Sequence, residues 1–460
     1  MDELRSPLPE SFLVHMRDLL GDKLEDFLAE YHKPARRGLR FNLLKTVDVY
    51  DLDADPLVPV PWCREGYQYP NQARPAKSIL YNAGLFYIQE PSAMCPAAVL
   101  RPMPGQRVLD ICAAPGGKTV QLAGFMQDRG LIVANDISPS RCMPLVKNLE
   151  MSGVTNAVVL AENPAWLASR FPAYFDCILV DAPCSGEGMF RRDPDTIRTY
   201  ADNSPEICVP LQLEILRHAA GMLKPGGRMV YSTCTFNTLE NEGVIASFLS
   251  MHQDFMLLPI DHEGLGLACG YSNVTGGIAE LCYTARIWPH TGPGEGHFIA
   301  HMVKAGSSMS SSQLPEEVTS AKFSKEFVGF CEENLTSFML DRVVVQHKKS
   351  LFLQPVDLDL SGLRVIRSGW HIGEIAKGRF TPSHALAMGI TKAQARYAID
   401  LPEPDALRYL KGESLDAPDN LIVQSNKPWV LICFRGFPLG WVRLVQGRLK
   451  NQLPAGWVIP

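Results

Sequence analysis

A glycine-rich stretch, CAAPGGKT at residues 112–119, is the first part of this sequence whose residue types could do chemistry. It matches the phosphate-binding pattern G-x-x-x-x-G-K-[ST] at Gly117, Lys118 and Thr119, but Cys112 stands where that pattern begins with glycine. The later run CILVD, which ends at Asp181, could supply the acid of a nucleotide-hydrolysing site. A P-loop ATPase is therefore one hypothesis for this chain.

Polar residues at the ends of the neighbouring apolar runs favour a different ligand. Asp136 ends the next run, LIVAND, and an acid about 20 residues after a glycine-rich turn typically holds ribose hydroxyls. Glu162 and Asn163 end the third run, and Asp181 ends the fourth. A ribose site without a complete phosphate cradle suits an adenosine that bears no phosphate, and S-adenosylmethionine is such a ligand. The predicted cofactor contacts are Cys112, Ala113, Ala114, Pro115, Gly116, Gly117, Lys118, Asp136, Asn163 and Asp181.

The elements that must position these residues follow from the apolar pattern. From residue 107 onward, short apolar runs alternate with helix-length segments, which predicts the parallel strands of a doubly wound α/β sheet. The runs are RVLDICA, LIVAND, NAVVLAE, FDCILVDA and GRMVYSTC. Ligands bind such sheets beyond the carboxyl ends of the strands, where the polar residues stand.

The rest of the chain divides around this sheet. Helical spacing of apolar residues precedes a basic extended stretch at the N-terminus, and short strand-like runs punctuated by Gly and Pro follow residue 360. The serine-rich run GSSMSSSQLP indicates a linker. We expect an N-terminal α+β segment at 1–75, a catalytic domain at 76–305, a linker at 306–316 and a β-rich C-terminal region at 317–460.

Composition excludes several classes of protein. Hydrophobic residues make up 46% and charged residues 20%, which is ordinary for a globular chain of 460 residues. The 12 cysteines form no C-x-x-C pair, so neither a zinc site nor a disulfide framework is predicted. The N-terminus lacks the apolar segment of a signal peptide, and no run approaches the ~18 residues of a membrane span. We expect a cytoplasmic monomer without a metal.

Several motifs together resemble one family, the Sun-type RNA 5-methylcytosine methyltransferases. They are CAAPGGKT, the acid in LIVAND, DAPCSGEG, YSTCT, GLFYIQEPSAM, RRDPD, LKPGG, NEGVI and GEGHFIA, and they span roughly residues 36–304. The final GRLKN is similar to the end of the bacterial branch that modifies 16S ribosomal RNA. The resemblance implies a Rossmann-like sheet of seven strands, the last antiparallel and supplied by GHFIAHMVK, and a PUA-like C-terminal module. One departure is Glu162-Asn163, where the family commonly has Asp-Gly.

The chemistry that this resemblance implies is methylation of cytosine C5. That carbon is a poor nucleophile until a thiolate adds at C6, and the C5 proton and the thiolate must leave afterwards. Cys184 and Cys234 each follow a strand-like run, and their spacing alone does not choose between them. The resemblance assigns the nucleophile to Cys234 and product release to Cys184, with Asp181 near the base and Lys118 beside Asp181.

The same resemblance implies an RNA partner, 16S ribosomal RNA or the small ribosomal subunit. The net charge is −5, but residues 33–45 hold five basic residues and no acid, and residues 361–460 hold 13 Lys and Arg against 7 Asp and Glu. Such local basic faces suit a polyanion. The candidate RNA contacts are Arg36, Arg37, Arg40 and Lys45. Two alternatives remain at this point: the same chemistry on transfer RNA, and a non-catalytic RNA-binding factor of ribosome assembly.

Overall fold

The computed structural model describes residues 7–45, 57–273, 278–306, 323–338, 342–419, 421, 423 and 428–460. It begins with two short helices, α1 (Glu10–Leu20) and α2 (Leu24–Ala29). Their apolar sides bury Phe12 and Phe27 against Trp288, which lies near the end of the catalytic region in sequence. The N-terminal helices are therefore packed onto the catalytic domain.

A four-stranded antiparallel sheet follows, in the order β2-β3-β1-β4. Its elements are β1 (Gly38–Phe41), β2 (Val58–Val60), β3 (Cys63–Gln68), the helix α3 (Ile79–Asn82) and β4 (Phe86–Ile88). Because β4 pairs with β1, this unit extends past the boundary expected at residue 75. A three-residue strand is too short to show an alternating pattern, so the sequence did not reveal it.

The central sheet confirms the predicted α/β fold. Its strands are β5 (Arg107–Asp110), β6 (Leu131–Asn135), β7 (Ala157–Leu160), β8 (Phe175–Asp181), β9 (Leu223–Thr233), β10 (Phe255–Leu257), β11 (Ala268–Cys269), β12 (Ala285–Ile287) and β13 (His297–Lys304). Strands β7, β6, β5, β8 and β9 are parallel neighbours in that order. The predicted antiparallel strand GHFIAHMVK is β13, which pairs with β9.

Helices cover both faces of this sheet. They are α4 (Cys95–Leu100), α5 (Gly117–Met126), α6 (Pro139–Met151), α7 (Pro164–Arg170), α8 (Asp195–Arg198), α9 (Pro205–Met222), α10 (Val244–Met251) and α11 (His262–Leu265). One core joins α7, α9 and α10 to the sheet, and the other joins α4, α5 and α6 to its opposite face. The inner strands are apolar on both sides for this reason, and their polar ends meet at one edge.

The C-terminal region continues from α12 (Lys325–Asn334) as two further sheets. Its other elements are β14 (Val343–His347), β15 (Ser350–Gln354), β16 (Val365–Arg367), β17 (Trp370–Ala376), β18 (Arg379–Pro382), α13 (His384–Gly389), β19 (Ala398–Asp400), α14 (Glu403–Leu410), β20 (Leu415–Asp416), β21 (Trp429–Phe434), β22 (Phe437–Val445) and β23 (Arg448–Asn451). Apart from Gly306, the expected linker at 306–316 lies outside the described residues. None of the helices described is long and apolar enough to cross a membrane.

The central sheet is larger than the seven strands expected, because it has ten strands among the described residues. Six of them are the parallel strands β5 to β9 and the antiparallel β13. The other four are β10 and β12, which pair with β13, β11, which pairs with β12, and β16 from the C-terminal region, which pairs antiparallel with β7 at the other edge. Strands of two or three residues carry no readable periodicity, and a strand supplied from another region cannot be inferred from local pattern.

The C-terminal region also contributes to the catalytic core, which yields a stability prediction. Leu358, 9% exposed, packs in the same cluster as Phe175 and Leu216. We expect Leu358→Ala to lower the free energy of unfolding by about 2–5 kcal/mol, as for a buried leucine elsewhere. Leu211→Ala on α9, where the leucine is 44% exposed, is the control and should change it little. Equal melting temperatures for the two variants would contradict this role.

Candidate active site

The glycine-rich loop lies where β5 ends and α5 begins. Gly116 has φ +108°, and a Cβ there would come 2.9 Å from Leu145 Cδ1. A Cβ on Gly117, the first residue of α5, would meet the Tyr87 ring at 3.0 Å. Both glycines are therefore required by backbone conformation or by close packing. The loop opens a helix N-terminus at the edge of the sheet where the other polar strand ends meet.

The buried side chain of Arg40 also holds the loop in place. This side chain is only 2% exposed, and its Nη2 donates to the Gly117 carbonyl oxygen at 2.8 Å. Its Nη1 donates to the Gln89 and Gln121 side-chain oxygens. Arg40 was expected to contact RNA, and that expectation is wrong because its guanidinium is buried. Its role is to hold the start of α5.

The other three candidate RNA contacts differ in how exposed their side chains are. Lys45 Nζ donates to the Met388 carbonyl oxygen in the C-terminal region, and burial lowers the pKa of Lys45 to about 8. Lys45 was also expected to contact RNA; its side chain is partly buried with its ammonium engaged by Met388, and its contact with RNA stays a prediction. Arg36 is partly exposed and pairs with Glu30 at 3.2 Å. Arg37 is exposed and stays a candidate for RNA contact.

Asp136 lies at the end of β6 with its carboxylate buried. It is 1% exposed, and its Oδ1 accepts a hydrogen bond from the Ser138 backbone N–H at 3.0 Å. Oδ2 accepts no hydrogen bond from any residue described, although Arg141 Nη1 lies 3.3 Å away. A buried acceptor without a donor is costly, so it fits a ribose hydroxyl that would donate to it. Ile137, 62% exposed, follows it and offers an apolar surface for an adenine ring.

Glu162 and Asn163, which follow β7, make hydrogen bonds other than the expected cofactor contact. Asn163 is the N-cap of α7, and its Oδ1 accepts from the Ala165 backbone N–H at 2.7 Å. The Glu162 carboxylate accepts from the backbone N–H of Arg364, next to β16. The Asn163 side-chain oxygen is thus used to cap the first turn of α7. The contact of Asn163 with the cofactor stays a prediction.

Asp110, which sequence reasoning missed, ends β5 directly before the loop. Its Oδ2 accepts from Thr119 Oγ1 at 2.7 Å, and its Oδ1 accepts no hydrogen bond from the residues described. Burial raises the pKa of Asp110 to about 7. The signal was present in RVLD, an acid that ends an apolar run as Asp136 does. Together these acids fit a ligand that carries both ribose hydroxyls and positive charge, as S-adenosylmethionine does.

Asp181, at the end of β8, is held by three side chains. Lys118 Nζ donates to Oδ2 at 2.7 Å, and Ser232 Oγ donates to Oδ1 at 2.8 Å. His297 Nε2 is 3.6 Å from Oδ1. Burial opposes ionisation of Asp181, but Lys118 and His297 outweigh it and hold the pKa well below its usual range. The carboxylate is therefore a charged hydrogen-bond acceptor, still 30% exposed to an incoming base.

Asp181 in turn keeps Lys118 charged. Burial lowers the pKa of Lys118, but the Asp181 carboxylate outweighs this effect and the net shift is upward. In a Walker loop the Lys and the Ser/Thr would bind phosphates and Mg²⁺. Here Lys118 is engaged with Asp181 and Thr119 with Asp110. These contacts count against the P-loop ATPase hypothesis.

Cys184 and Cys234 come together at the same edge of the sheet. Their sulfur atoms are 3.5 Å apart, and both side chains are partly exposed. The hydrogen bond with Cys234 and burial raise the pKa of the Cys184 thiol well above its ordinary value. Cys184 therefore keeps its proton, and either sulfur can be the donor in the contact between the two. The arrangement places two cysteine sulfur atoms close enough for one to act as a nucleophile while the other exchanges a proton with it.

Models of known protein families match four successive parts of this chain. Residues 8–91 match the N-terminal domain of 16S rRNA methyltransferase RsmF, and residues 97–303 match 16S rRNA methyltransferase RsmB/F. Residues 329–390 match the first C-terminal domain of RsmF, and residues 396–459 match its PUA domain. The C-terminal region thus corresponds to two family domains, of which the second is the predicted PUA-like module.

Individual relatives agree over the full length. The chain is 32% identical to ribosomal RNA small subunit methyltransferase F of Erwinia tasmaniensis, over 97% of this chain and 96% of that protein. It is 31% identical to the protein of the same name from Escherichia coli O127:H6, over 97% and 95% of the two chains. A methyltransferase homologue from Pyrococcus horikoshii, solved by crystallography, is 32% identical with a TM-score of 0.57, and the match covers 64% of this chain and 95% of that one. The chain therefore belongs to the RsmB/F family of 16S rRNA methyltransferases.

Proposed function

We propose that the protein transfers a methyl group from S-adenosylmethionine to cytosine C5 in 16S ribosomal RNA through a covalent cysteine–C6 adduct. The observation that carries this proposal is the pair of sulfur atoms 3.5 Å apart at the strand edge. Asp181, at the same edge, is positioned as a charged acceptor by Lys118 and Ser232. The names of the relatives support the substrate, small-subunit ribosomal RNA. We further propose that the enzyme acts in the cytoplasm, which suits this substrate, and that it acts as a monomer.

The cofactor supplies an electrophilic methyl group on a sulfonium. The chain's own residues bind and orient it: Asp136 Oδ2 accepts from the ribose hydroxyls, and Asp110 faces the positively charged end. The N-terminus of α5 and the loop before it provide the backbone surface between these two acids. Two buried carboxylate oxygens that lack donors among the described residues support this assignment.

The first step is attack by Cys234. Its sulfur forms a bond to C6 of the cytosine, and the electron pair displaced from the C5–C6 double bond makes C5 nucleophilic. Asp181, as a carboxylate, accepts a hydrogen bond from the exocyclic amine and so fixes the ring plane above the sulfur. C5 then takes the methyl group, and the electron pair of the broken methyl–sulfur bond stays on the sulfur of the donor.

The second step restores the aromatic ring. C5 loses its proton, the C6–S bond breaks, and the electron pair of that bond returns to the Cys234 sulfur. The Cys184 thiol balances both events, because it passes its proton to the departing sulfur while its own sulfur takes the proton from C5. The methylated base and two thiols result. The 3.5 Å separation of the two sulfur atoms supports such a transfer.

The target cytosine must leave its base stack for a sulfur to approach C6 from the ring face. The surrounding RNA backbone needs positive charge to hold it, and exposed Arg37, which directly precedes β1, is suited to this. The C-terminal region offers a second basic surface, since residues 361–460 carry 13 Lys and Arg against 7 Asp and Glu. Both regions belong to one body, because residues of the N-terminal sheet and of β21 share a hydrophobic cluster.

A pair of variants separates RNA contact from structural support. We expect Arg37→Ala to weaken RNA binding without changing the melting temperature, because its side chain is exposed. Lys45→Ala should lower the melting temperature, because the Met388 carbonyl loses its donor. Filter binding at several salt concentrations measures the first effect, with a slope flatter by ~0.7–0.9 for one lost phosphate contact. An unchanged slope for Arg37→Ala would remove this residue from the RNA surface.

The proposed function is tested by methyl transfer to defined RNAs. The purified chain is incubated with methyl-labelled S-adenosylmethionine and, separately, with naked 16S ribosomal RNA, assembled small subunits or bulk transfer RNA. We expect label in 16S RNA and a bisulfite-resistant cytosine at the modified position. Label confined to transfer RNA would support the alternative substrate. Binding of RNA without any transfer would support the non-catalytic assembly factor and overturn the proposal.

A further inference from the structure

A five-residue π-helix, Leu239–Gly243, follows the strand that ends before Cys234. Its residues Glu240, Asn241 and Glu242 are all 0% exposed. Such turns are rare and are frequent at functional sites. Two carboxylates and an amide this deeply buried need partners, so their hydrogen bonds show what the turn holds in place.

Asn241 holds both neighbours of Cys234. Its Oδ1 accepts from Thr233 Oγ1 at 2.5 Å, and its Nδ2 donates to the Thr235 carbonyl oxygen at 3.0 Å. Thr233 precedes Cys234 and Thr235 follows it. One side chain thus fixes the backbone on either side of the proposed nucleophile.

Glu240 holds the residue after Cys184. Its carboxylate accepts from the Ser185 backbone N–H at 2.9 Å and from Ser185 Oγ at 2.5 Å. Gln212 Nε2 donates to Glu240 at 2.8 Å and to the Pro183 carbonyl oxygen at 2.9 Å. The residues on both sides of Cys184 are therefore fixed by Glu240 together with Gln212.

The two supports are joined to one another. Ser185 Oγ lies 2.8 Å from Thr235 Oγ1, so the loop after Cys184 is linked to the loop after Cys234. Since Glu240 and Asn241 are consecutive in one turn, their side chains set the spacing between the two cysteine loops. The sulfur–sulfur distance of 3.5 Å is the result.

We propose that Glu240 and Asn241 are positioning residues that each serve one step of the reaction: Asn241 orients Cys234 for attack, and Glu240 orients Cys184 for release. This inference rests on the proposed covalent function. Neither side chain touches the substrate, since both act through the residues that flank the cysteines. Glu240 must be an acceptor only, because Ser185 N–H, Ser185 Oγ–H and Gln212 Nε2–H all donate to it.

The proposal predicts opposite defects for the two variants. Glu240→Gln places an amide N–H₂ against these donors and displaces the Cys184 loop. It should keep the single-turnover methyl-transfer rate within about threefold but raise the trapped protein–RNA adduct at least tenfold. Asn241→Ala frees the Cys234 loop, and a misplacement of about 1 Å can cost ~100-fold in rate. Asn241→Ala should therefore lower adduct formation and methyl transfer together.

Glu242→Gln is the matched control from the same turn. Glu242 is equally buried but pairs with Arg286 at 2.7 and 2.5 Å and accepts from the Tyr271 N–H. Its nearest link to the cysteine loops is indirect, since Arg286 Nη1 donates to the Phe236 carbonyl oxygen at 2.9 Å, beyond the residues that flank Cys234. It should lower the melting temperature without changing the ratio of adduct to released product. Methyl-labelled cofactor and 16S RNA, with acid quenching and denaturing gels, give this ratio for each variant.

A second measurement does not depend on catalysis. Iodoacetamide alkylation of the folded proteins, followed by mass spectrometry, gives the relative reactivity of the two thiols. We expect Glu240→Gln to change Cys184 labelling and Asn241→Ala to change Cys234 labelling, each by severalfold, with neither altered in Glu242→Gln. If Glu240→Gln and Glu242→Gln match in both the adduct ratio and the labelling, the positioning role is wrong. If wild type and Cys184→Ala never form an adduct, the covalent mechanism fails instead, and the labelling alone decides the positioning role.

Discussion

Cys184→Ala is expected to accumulate a protein–RNA adduct that carries the transferred methyl group, whereas Cys234→Ala should form no adduct and transfer no methyl group. The asymmetry follows from the order of steps. Cys234 forms the bond to C6, so nothing proceeds without it, while a group needed to balance the elimination acts after methyl transfer. Loss of detectable activity, more than about 10³-fold, is expected for both under turnover conditions. Denaturing gel electrophoresis with labelled cofactor distinguishes them.

Cys177→Ala is the matched control for these two variants. Cys177 lies within β8, the strand that precedes Cys184, and is 0% exposed, so its thiol is a core side chain. It should turn over and release product like the wild type. A stable adduct with Cys234→Ala and none with Cys184→Ala would reverse the two roles. An active wild type from which no variant traps an adduct would refute covalent addition at C6.

The second large effect is expected at the Lys118–Asp181 pair. Asp181→Asn should lower the single-turnover rate about 10²–10³-fold, the usual result of removing one group that stabilises the transition state. Lys118→Met should change how the reaction rate depends on pH. Without the lysine, burial raises the pKa of Asp181, so the carboxylate is lost as pH falls through a higher value than in the wild type. The rate of Lys118→Met should therefore fall toward acidic pH in a range where the wild-type rate is flat.

The control for this pair is another lysine–aspartate contact on the same strand. Lys224 Nζ lies 2.6 Å from Asp176 Oδ1, near the beginning of β8 and far along the strand from Asp181. Lys224→Met should leave the pH–rate profile unchanged. If Lys118→Met and wild type also share one profile, Lys118 does not set the charge of Asp181 during the reaction.

Much of the fold and part of the site were predictable for one physical reason. Parallel strands buried on both faces read as apolar runs, and the residues that end them must face the ligand edge. Asp136 and Asp181 could be placed in this way, and the motifs around Cys184 and Cys234 added the rest. Asp110 obeys the same rule, because it ends the apolar run RVLD directly before the glycine-rich loop.

Other features could not be read from local pattern. Arg40 and Lys45 look like part of a basic surface stretch, yet Arg40 is buried and donates to the Gly117 carbonyl oxygen, and Lys45 is partly buried and donates to the Met388 carbonyl oxygen. The roles of Glu240 and Asn241 depend on contacts with loops up to 55 residues away, at Ser185. Such partners are fixed by tertiary packing, which leaves no periodic trace in the sequence.

The pairing of β16 with β7 has a consequence for synthesis of the protein in the cell. Val365 pairs with Leu160, so about 200 residues of chain must be made after one strand before its neighbour exists. At a translation rate of ~5–20 residues per second, the edge of the nascent sheet stays open for roughly 10–40 s. An open apolar edge of this kind is a template for pairing with other chains. During this interval each nascent chain is prone to aggregate, above all where ribosomes translate it close together or where a chaperone is missing.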